Sequence, residues 1–296
     1  MKIKSYLSLI FSLLLIVAFV SANAQIKYED DFKDPETAAK KLVKVNLNWL
    51  NKAGVKTVII HNFVGEFVTS KETSPSAFEQ SHSTRWTSKT VGFTMGSDYY
   101  ATIVNALYAE FVEMLKENGI EVLDKSILTN NQAYNDLGLE DERERKGYSG
   151  GVMKQQTTTT TLRRGPEGMG VLPDIAVGKF VKLGKITAQI AVDKNCQASL
   201  GVAIRVDIGK NGIPVLNQMS VSMNSDVKQT GGKPYWNNGG IEIMAMKDAL
   251  YDPKADIMKD GSKKDLDLGK YNEELFKLID TVNKAYVYEF KNQYKK

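Results

Sequence analysis

The chain has 296 residues, a net charge of +4 and a single cysteine. A segment carrying Lys2 and Lys4 and no acids is removed on export, which leaves about +2. That charge makes no electrostatic case for nucleic acid as a partner. One thiol closes no intrachain disulfide, so stability rests on a packed core, for which the length is ample.

The first element is a secretory signal peptide. Lys2 and Lys4 precede an apolar run from Leu7 to Val20, and Ser21-Ala22-Asn23-Ala24-Gln25 ends it with an Ala-x-Ala cleavage site. The run falls short of the roughly 20 apolar residues a membrane-spanning helix needs. Cleavage is expected after Ala24, giving a signal peptide over 1–24 and one α/β domain over 25–296. No cysteine adjoins the junction, so a lipid anchor is not expected. The expected location is periplasmic or extracellular.

Asp34-Pro35-Glu36 reads as a helix start, with an N-cap, a proline at the first helical position and an acid in the first turn. Ala39, Leu42, Val45 and Trp49 continue it at helical spacing as far as Gly54. A buried strand follows over Val55–Phe63, then a loop over 70–83 and a second strand over Thr84–Thr94. Ser97–Asn118 reads as an amphipathic helix. Its apolar stripe is Tyr100, Ile103, Leu107, Phe111 and Leu115, Ser97 is available as a cap, and Asn118-Gly119 is the stop. Glu110, Glu113 and Glu117 fall on the opposite, solvated face. A strand over 120–123 completes a strand-helix-strand unit.

Residues 140–170 read as a mobile loop, preceded by a short helix over Leu137–Lys146. Strands are expected over Asp174–Val181, Ile186–Val192, Ala198–Ile208 and Val215–Met223. The last two are joined as an antiparallel hairpin by Gly209-Lys210-Asn211-Gly212. A helix over Leu268–Tyr294 buries Leu275, Ile279, Val282, Tyr286 and Phe290. The expected fold class is α/β (α+β): a mixed sheet with packed helices, a strand-helix-strand unit, a late hairpin and a C-terminal helix.

Chemistry is sparse. Gly147-Tyr148-Ser149-Gly150-Gly151 matches G-x-S-x-G, but a charged run precedes it, a threonine tract follows it, and both histidines, His61 and His82, come before it. Those histidines and Cys196 lack zinc-ligand spacing, so no metal or cofactor is expected. Asp252, Asp256, Asp260, Asp265 and Asp267 lack the calcium-loop order and are offset by Lys254, Lys259, Lys263 and Lys264. Tyr235-Trp236 sits in a polar Gly/Asn loop. Two readings stay open there, a binding contact for a sugar or partner and a turn tucked against the sheet edge.

The order of elements resembles one family. Val58-Ile59-Ile60-His61-Asn62-Phe63 leads to Thr94-Met95-Gly96 and the amphipathic helix, then to Asn118-Gly119-Ile120-Glu121-Val122-Leu123-Asp124. Pro173-Asp174-Ile175-Ala176-Val177-Gly178 and the late hairpin follow. Over about 55–225 this resembles the curli-secretion channel family, and it is similar to related periplasmic activator and Tol-type domains. The resemblance implies a mixed sheet and a role in assembly, secretion or envelope scaffolding without catalysis, although the family's lipidated cysteine is missing. The reading is therefore an exported, non-catalytic protein that binds a protein or envelope partner, with Tyr235 and Trp236 as candidate binding residues. An oligomeric outer-membrane channel component, and a secreted hydrolase using Ser149 or a carboxylate pair, are the alternatives. Peripheral membrane association and homo-oligomerisation remain open.

Overall fold

One long strand organises the protein. The computed structural model describes residues 34–44, 55–76, 80, 89–92, 95–151, 154–173, 180–209, 214–224, 241–243 and 267–293. The elements in chain order are α1 (Pro35–Leu42), β1 (Val43–Lys44), β2 (Thr57–Ser74), β3 (Lys89–Gly92), α2 (Ser97–Glu117), β4 (Glu121–Leu123) and the one-turn α3 (Gln132–Asn135). Then come β5 (Glu142–Gly151), β6 (Lys154–Arg164), α4 (Phe180–Asp193), β7 (Ala198–Ile208), β8 (Pro214–Asn224), β9 (Ile241–Ile243) and α5 (Leu268–Gln293). The fold is α/β, a mixed sheet with helices packed on it.

The sheet runs β1-β9-β8-β7-β2-β6-β5, with β3 and β4 also paired to β2. β2 changes partners along its length. At Val58–Ile59 it lies between β4 and β7, both parallel to it. At Ser70–Thr73 it lies between β6 and β3, both antiparallel. The parallel half is buried on both faces, so it reads as a continuous apolar run, Val58-Ile59-Ile60. Phe63 and Phe67 point to the α2 face, where Phe63 meets Phe111 at 6.0 Å and Phe67 meets Tyr100 at 4.9 Å. On the other face α4 covers the start of β7, where the Ser199 hydroxyl donates to the Thr187 carbonyl. Past that cover β7 alternates strictly, with Val202, Ile204, Val206 and Ile208 inside and Ala203, Arg205 and Asp207 less buried.

α2 buries Tyr100, Ile103, Val104, Leu107, Phe111, Met114 and Leu115 as the spacing requires. Asn118 closes it by donating to the Met114 carbonyl at 2.7 Å, and Gly119 takes a left-handed φ of 80°. Its N-cap is Gly96, not Ser97. The Ser97 hydroxyl donates instead to Glu142 of β5. The antiparallel hairpin β7–β8, the strand-helix-strand unit and α5 stand where the sequence puts them, and Leu275, Ile279, Val282 and Tyr286 are buried.

Four expectations need correction. The first helix stops at Leu42, because Val43 and Lys44 pair with β9. Part of the loop expected over 70–83 is strand as far as Ser74, held by Thr73 facing both Thr157 and Lys89. Of the strand expected over 84–94, residues 89–92 are described and are strand, and the others lie outside the described residues. The mobile loop over 140–170, with its short helix over 137–146, is instead the hairpin β5–β6, in which five β-branched threonines sit opposite the charged strand. The strand expected over 186–192 gives way to α4, in which Leu183, Ile186, Thr187, Ile190 and Ala191 share one helix face, while of the strand expected over 174–181 only 180–181 are described, as the start of α4.

Candidate functional site

Beyond the helices, the sheet continues as a four-stranded antiparallel arm in the order β3-β2-β6-β5. Few of its side chains are buried. β6 is half-buried or exposed except at Thr161, and Tyr148 near the β5–β6 turn is 79 % exposed. The arm joins the core through ion pairs. Arg163 Nε lies 2.8 Å from Glu66 Oε1, Arg164 Nη1 lies 3.2 Å from Glu142 Oε2, and Lys71 Nζ lies 2.6 Å from Asp207 Oδ1. The register also sets Arg143, Arg163, Glu66, Arg205 and Gln218 in one row across the face opposite α2.

β5 is the outermost strand of this arm, and among the described residues it pairs only with β6. Glu142, Glu144, Lys146 and Tyr148 share one face, whereas Arg143 and Arg145 occupy the other. Residues facing each other across a ladder lie on the same side of the sheet. A symmetric pairing of two copies centred on Glu144 sets Glu144 against its own copy and Arg143 against Arg145, which is unfavourable.

Ser149 lies in β5 opposite Thr157, which in turn faces Thr73 of β2. His61 is twelve residues earlier on β2, about 40 Å along the strand at ~3.3 Å per residue. It is 2 % exposed, and burial lowers its pKa to about 3, so the imidazole is neutral. Ser149 and His61 are not a nucleophile–base pair. Cys196 is buried, with its thiol against the Ala198 carbonyl at 3.4 Å. Asp267 caps α5 by accepting from Gly269 and Lys270 N–H groups at 3.0 and 3.2 Å. Tyr235, Trp236, His82, the other loop aspartates and residues 1–24, expected to be a signal peptide, lie outside the described residues. Among the described residues no group of His, Cys, Asp and Glu is arranged to hold a metal ion, and no helix is long and apolar enough to cross a membrane.

A second feature lies on the helical side. Glu110, Glu113, Met114 and Glu117 form one stripe of α2, at spacings of three and four residues. Asp280, Asn283, Lys284, Val287, Tyr288 and Lys291 form the facing stripe of α5. Between them, with Pro35 at one end, is an open cleft of about 540 Å³. The Glu110 carboxyl is held above the usual carboxylate range, first by burial and second by Asp280. Asp280 pairs with Lys284 at 2.7 Å. Sequence periodicity places the three glutamates on a surface but not opposite Asp280. That juxtaposition depends on how α5 docks, 170 residues later.

No family model, no curated protein and no solved structure matches the chain.

Proposed function

We propose that this is an exported, non-catalytic protein of the cell envelope. It acts in assembly, secretion or scaffolding by binding a protein partner, and the β3-β2-β6-β5 arm is the part that engages it. The observation that carries this reading is the ten-residue edge of β5, with an exposed aromatic, Tyr148, beside a charged row. An edge strand offers unpaired N–H and C=O groups to an incoming strand, and exposed aromatics are preferred contact residues. Arg143 and Arg145 on one face favour a partner strand that brings anions to that face. The signal peptide and the family resemblance support the envelope setting. Tyr235 and Trp236 remain proposed contacts of the same partner.

The test places a photo-crosslinking amino acid at Tyr148 in producing cells. A discrete adduct with a second protein is expected, and it should be lost when Glu142 and Glu144 are both changed to Lys. Illumination that yields only uncrosslinked chain would sink the reading.

A second reading, a secretion-channel component, has one observation in its favour. The outer strands β3 and β5 of the arm run antiparallel to each other, so copies joined edge to edge in one rotational sense close a ring. Against it, β5 and β6 are built from Glu, Arg, Lys, Gln and Thr, with no outward apolar band for lipid. Sedimentation of detergent-extracted membranes separates the two readings, since a channel migrates as a large oligomer. The hydrolase alternative predicts a stoichiometric fluorophosphonate adduct at Ser149, and we expect none.

A further inference from the structure

The two halves of α4 are held to the sheet unequally. The second half is anchored. Thr187, Ile190 and Ala191 are buried, as are Ile59 and Ala198 of the strands beneath, and the Asp193 carboxylate accepts from Asn131 Nδ2 at 2.9 Å. The Ala191 carbonyl accepts from the Cys196 N–H and the Thr187 carbonyl from the Ser199 hydroxyl, so α4 runs back antiparallel along β7. Four helical residues rise about 6 Å and two strand residues about 6.6 Å, so the preceding turn brings Leu183 and Gly184 level with Gly201. This first half is weakly held. Leu183, Gly184 and Ile186 are only half-buried, Lys185 is exposed, and a glycine inside a helix favours the unwound chain.

The floor at that level is polar. Asn62 faces Gly201, which in turn faces Ser222. Gly201 has no side chain, and the His61 ring takes the space, with Nε2 3.2 Å from where a Cβ would stand. The register shift between Ile60 and Asn62 turns both His61 and Asn62 to this side of the sheet. They are closed off from water, at 2 % and 6 % exposure. Among the described residues His61 Nδ1 and Asn62 Oδ1 have no hydrogen-bond partner, and Asn224 Oδ1, opposite Ser199 at the boundary of the two halves, adds a third such atom. A buried polar atom without a partner is costly, and the cost vanishes once water reaches it. Closure over Gly201 therefore carries a penalty that opening relieves.

We infer that residues 180–186 of α4 form a flap that opens over Gly201 while residues 187–193 stay docked. Opening hydrates His61 and Asn62 without unfolding the sheet. Local openings of this kind fall where buried apolar contacts are few. The flap lies on the face opposite α2 and does not involve β5, so it stands or falls separately from the proposed function.

The experiment is amide hydrogen exchange of the purified chain, read residue by residue at rising urea. The amides of Gly184–Thr187 should exchange through an opening with a shallow urea dependence, and those of Ile190–Asp193 through a steeper one. Simple fraying of a helix end gives the same contrast, so the floor decides between them. Asn62→Leu, which places an apolar group beneath the flap, should slow exchange at 184–187 about fivefold or more, as removal of a buried unpaired acceptor does. Fraying alone leaves that rate unchanged. A second variant, Asn62→Cys combined with Cys196→Ser, sets a thiol in the floor. Iodoacetamide should label it through the same shallow opening that exchanges 184–187. Thermal melts verify the fold of each variant, and the thiol readout decides if Asn62→Leu does not fold. Exchange at 184–187 as steep in urea as at 190–193, an unchanged rate in folded Asn62→Leu, or a thiol at position 62 that reacts only on global unfolding would overturn the assignment.

Discussion

Arg163 Nε stands 2.8 Å from Glu66 Oε1, joining β6 to β2 at the level where the helices end and the arm begins. Both side chains are largely withdrawn from water, at 12 % and 21 % exposure, and Arg163 also donates to the Leu172 carbonyl at 3.0 Å. Truncating the guanidinium leaves a half-buried carboxylate facing Arg205 alone across the ladder. Arg163→Met should lower the unfolding free energy by about 2 kcal/mol. Urea denaturation reads this directly, and a midpoint within error of the parent would show the pair to be a bystander.

Gly65 is where α2 comes closest to the sheet. A Cβ there would lie 2.6 Å from Val104 Cγ2 and 2.6 Å from the Phe67 ring. Gly65→Ala should cost about 1–3 kcal/mol through overpacking. Adding Val104→Ala should recover part of that loss, because it removes one of the two clashing groups. Additive losses in the double variant would mean that the clash is with Phe67 alone.

His61 makes the core sensitive to acid. Its folded pKa is about 3 and the ordinary value is 6.5, so between these the unfolded chain holds the extra proton. The stability it supports is complete above pH 6.5 and is lost as pH falls toward 3, by up to about 1.4 kcal/mol per unit. Unfolding free energies at pH 7, 6, 5 and 4 should steepen in that window for the parent and flatten in His61→Gln. A parallel decline in both would assign the acid sensitivity to other groups.

The charges on β5 act against self-association. Replacing Glu144 and Arg145 with Val and Thr removes the like-charge contacts that a symmetric edge pairing would create. Light scattering at rising concentration should show the double variant forming larger species while the parent does not. Identical scattering would mean that the edge is protected in some other way.

How far the sequence is legible follows from how far each element depends on its own pattern. α2 and α5 announce themselves because a stripe of large apolar residues recurs over twenty or more positions. The β7–β8 hairpin does so through alternation. β2 shows only its first half, since Val58–Phe63 is buried on both faces and opens with the apolar Val58-Ile59-Ile60, while Ser70–Ser74 is polar and is strand only by virtue of the partners beside it. The threonine tract is harder still. Its polarity resembles a loop, yet β-branching and a charged partner strand make it a hairpin. α4 misleads through its β-branched Val181, Ile186, Ile190 and Val192, whereas the three-and-four spacing of Leu183, Ile186, Thr187, Ile190 and Ala191 is the better signal. The cleft was beyond reach, because Glu110 and Asp280 meet only after two helices separated by most of the sheet have packed.

The eighteen residues of β2 extend roughly 60 Å, and the same backbone is both the centre of the core and the centre of the arm. Tension applied to the arm along that axis meets the ladders to β6 and β7 in shear, with many hydrogen bonds loaded at once. Tension applied sideways at Tyr148 peels β5 from β6 one pair at a time. The protein should therefore be mechanically anisotropic, stiff when a partner pulls along β2 and yielding when it pulls across.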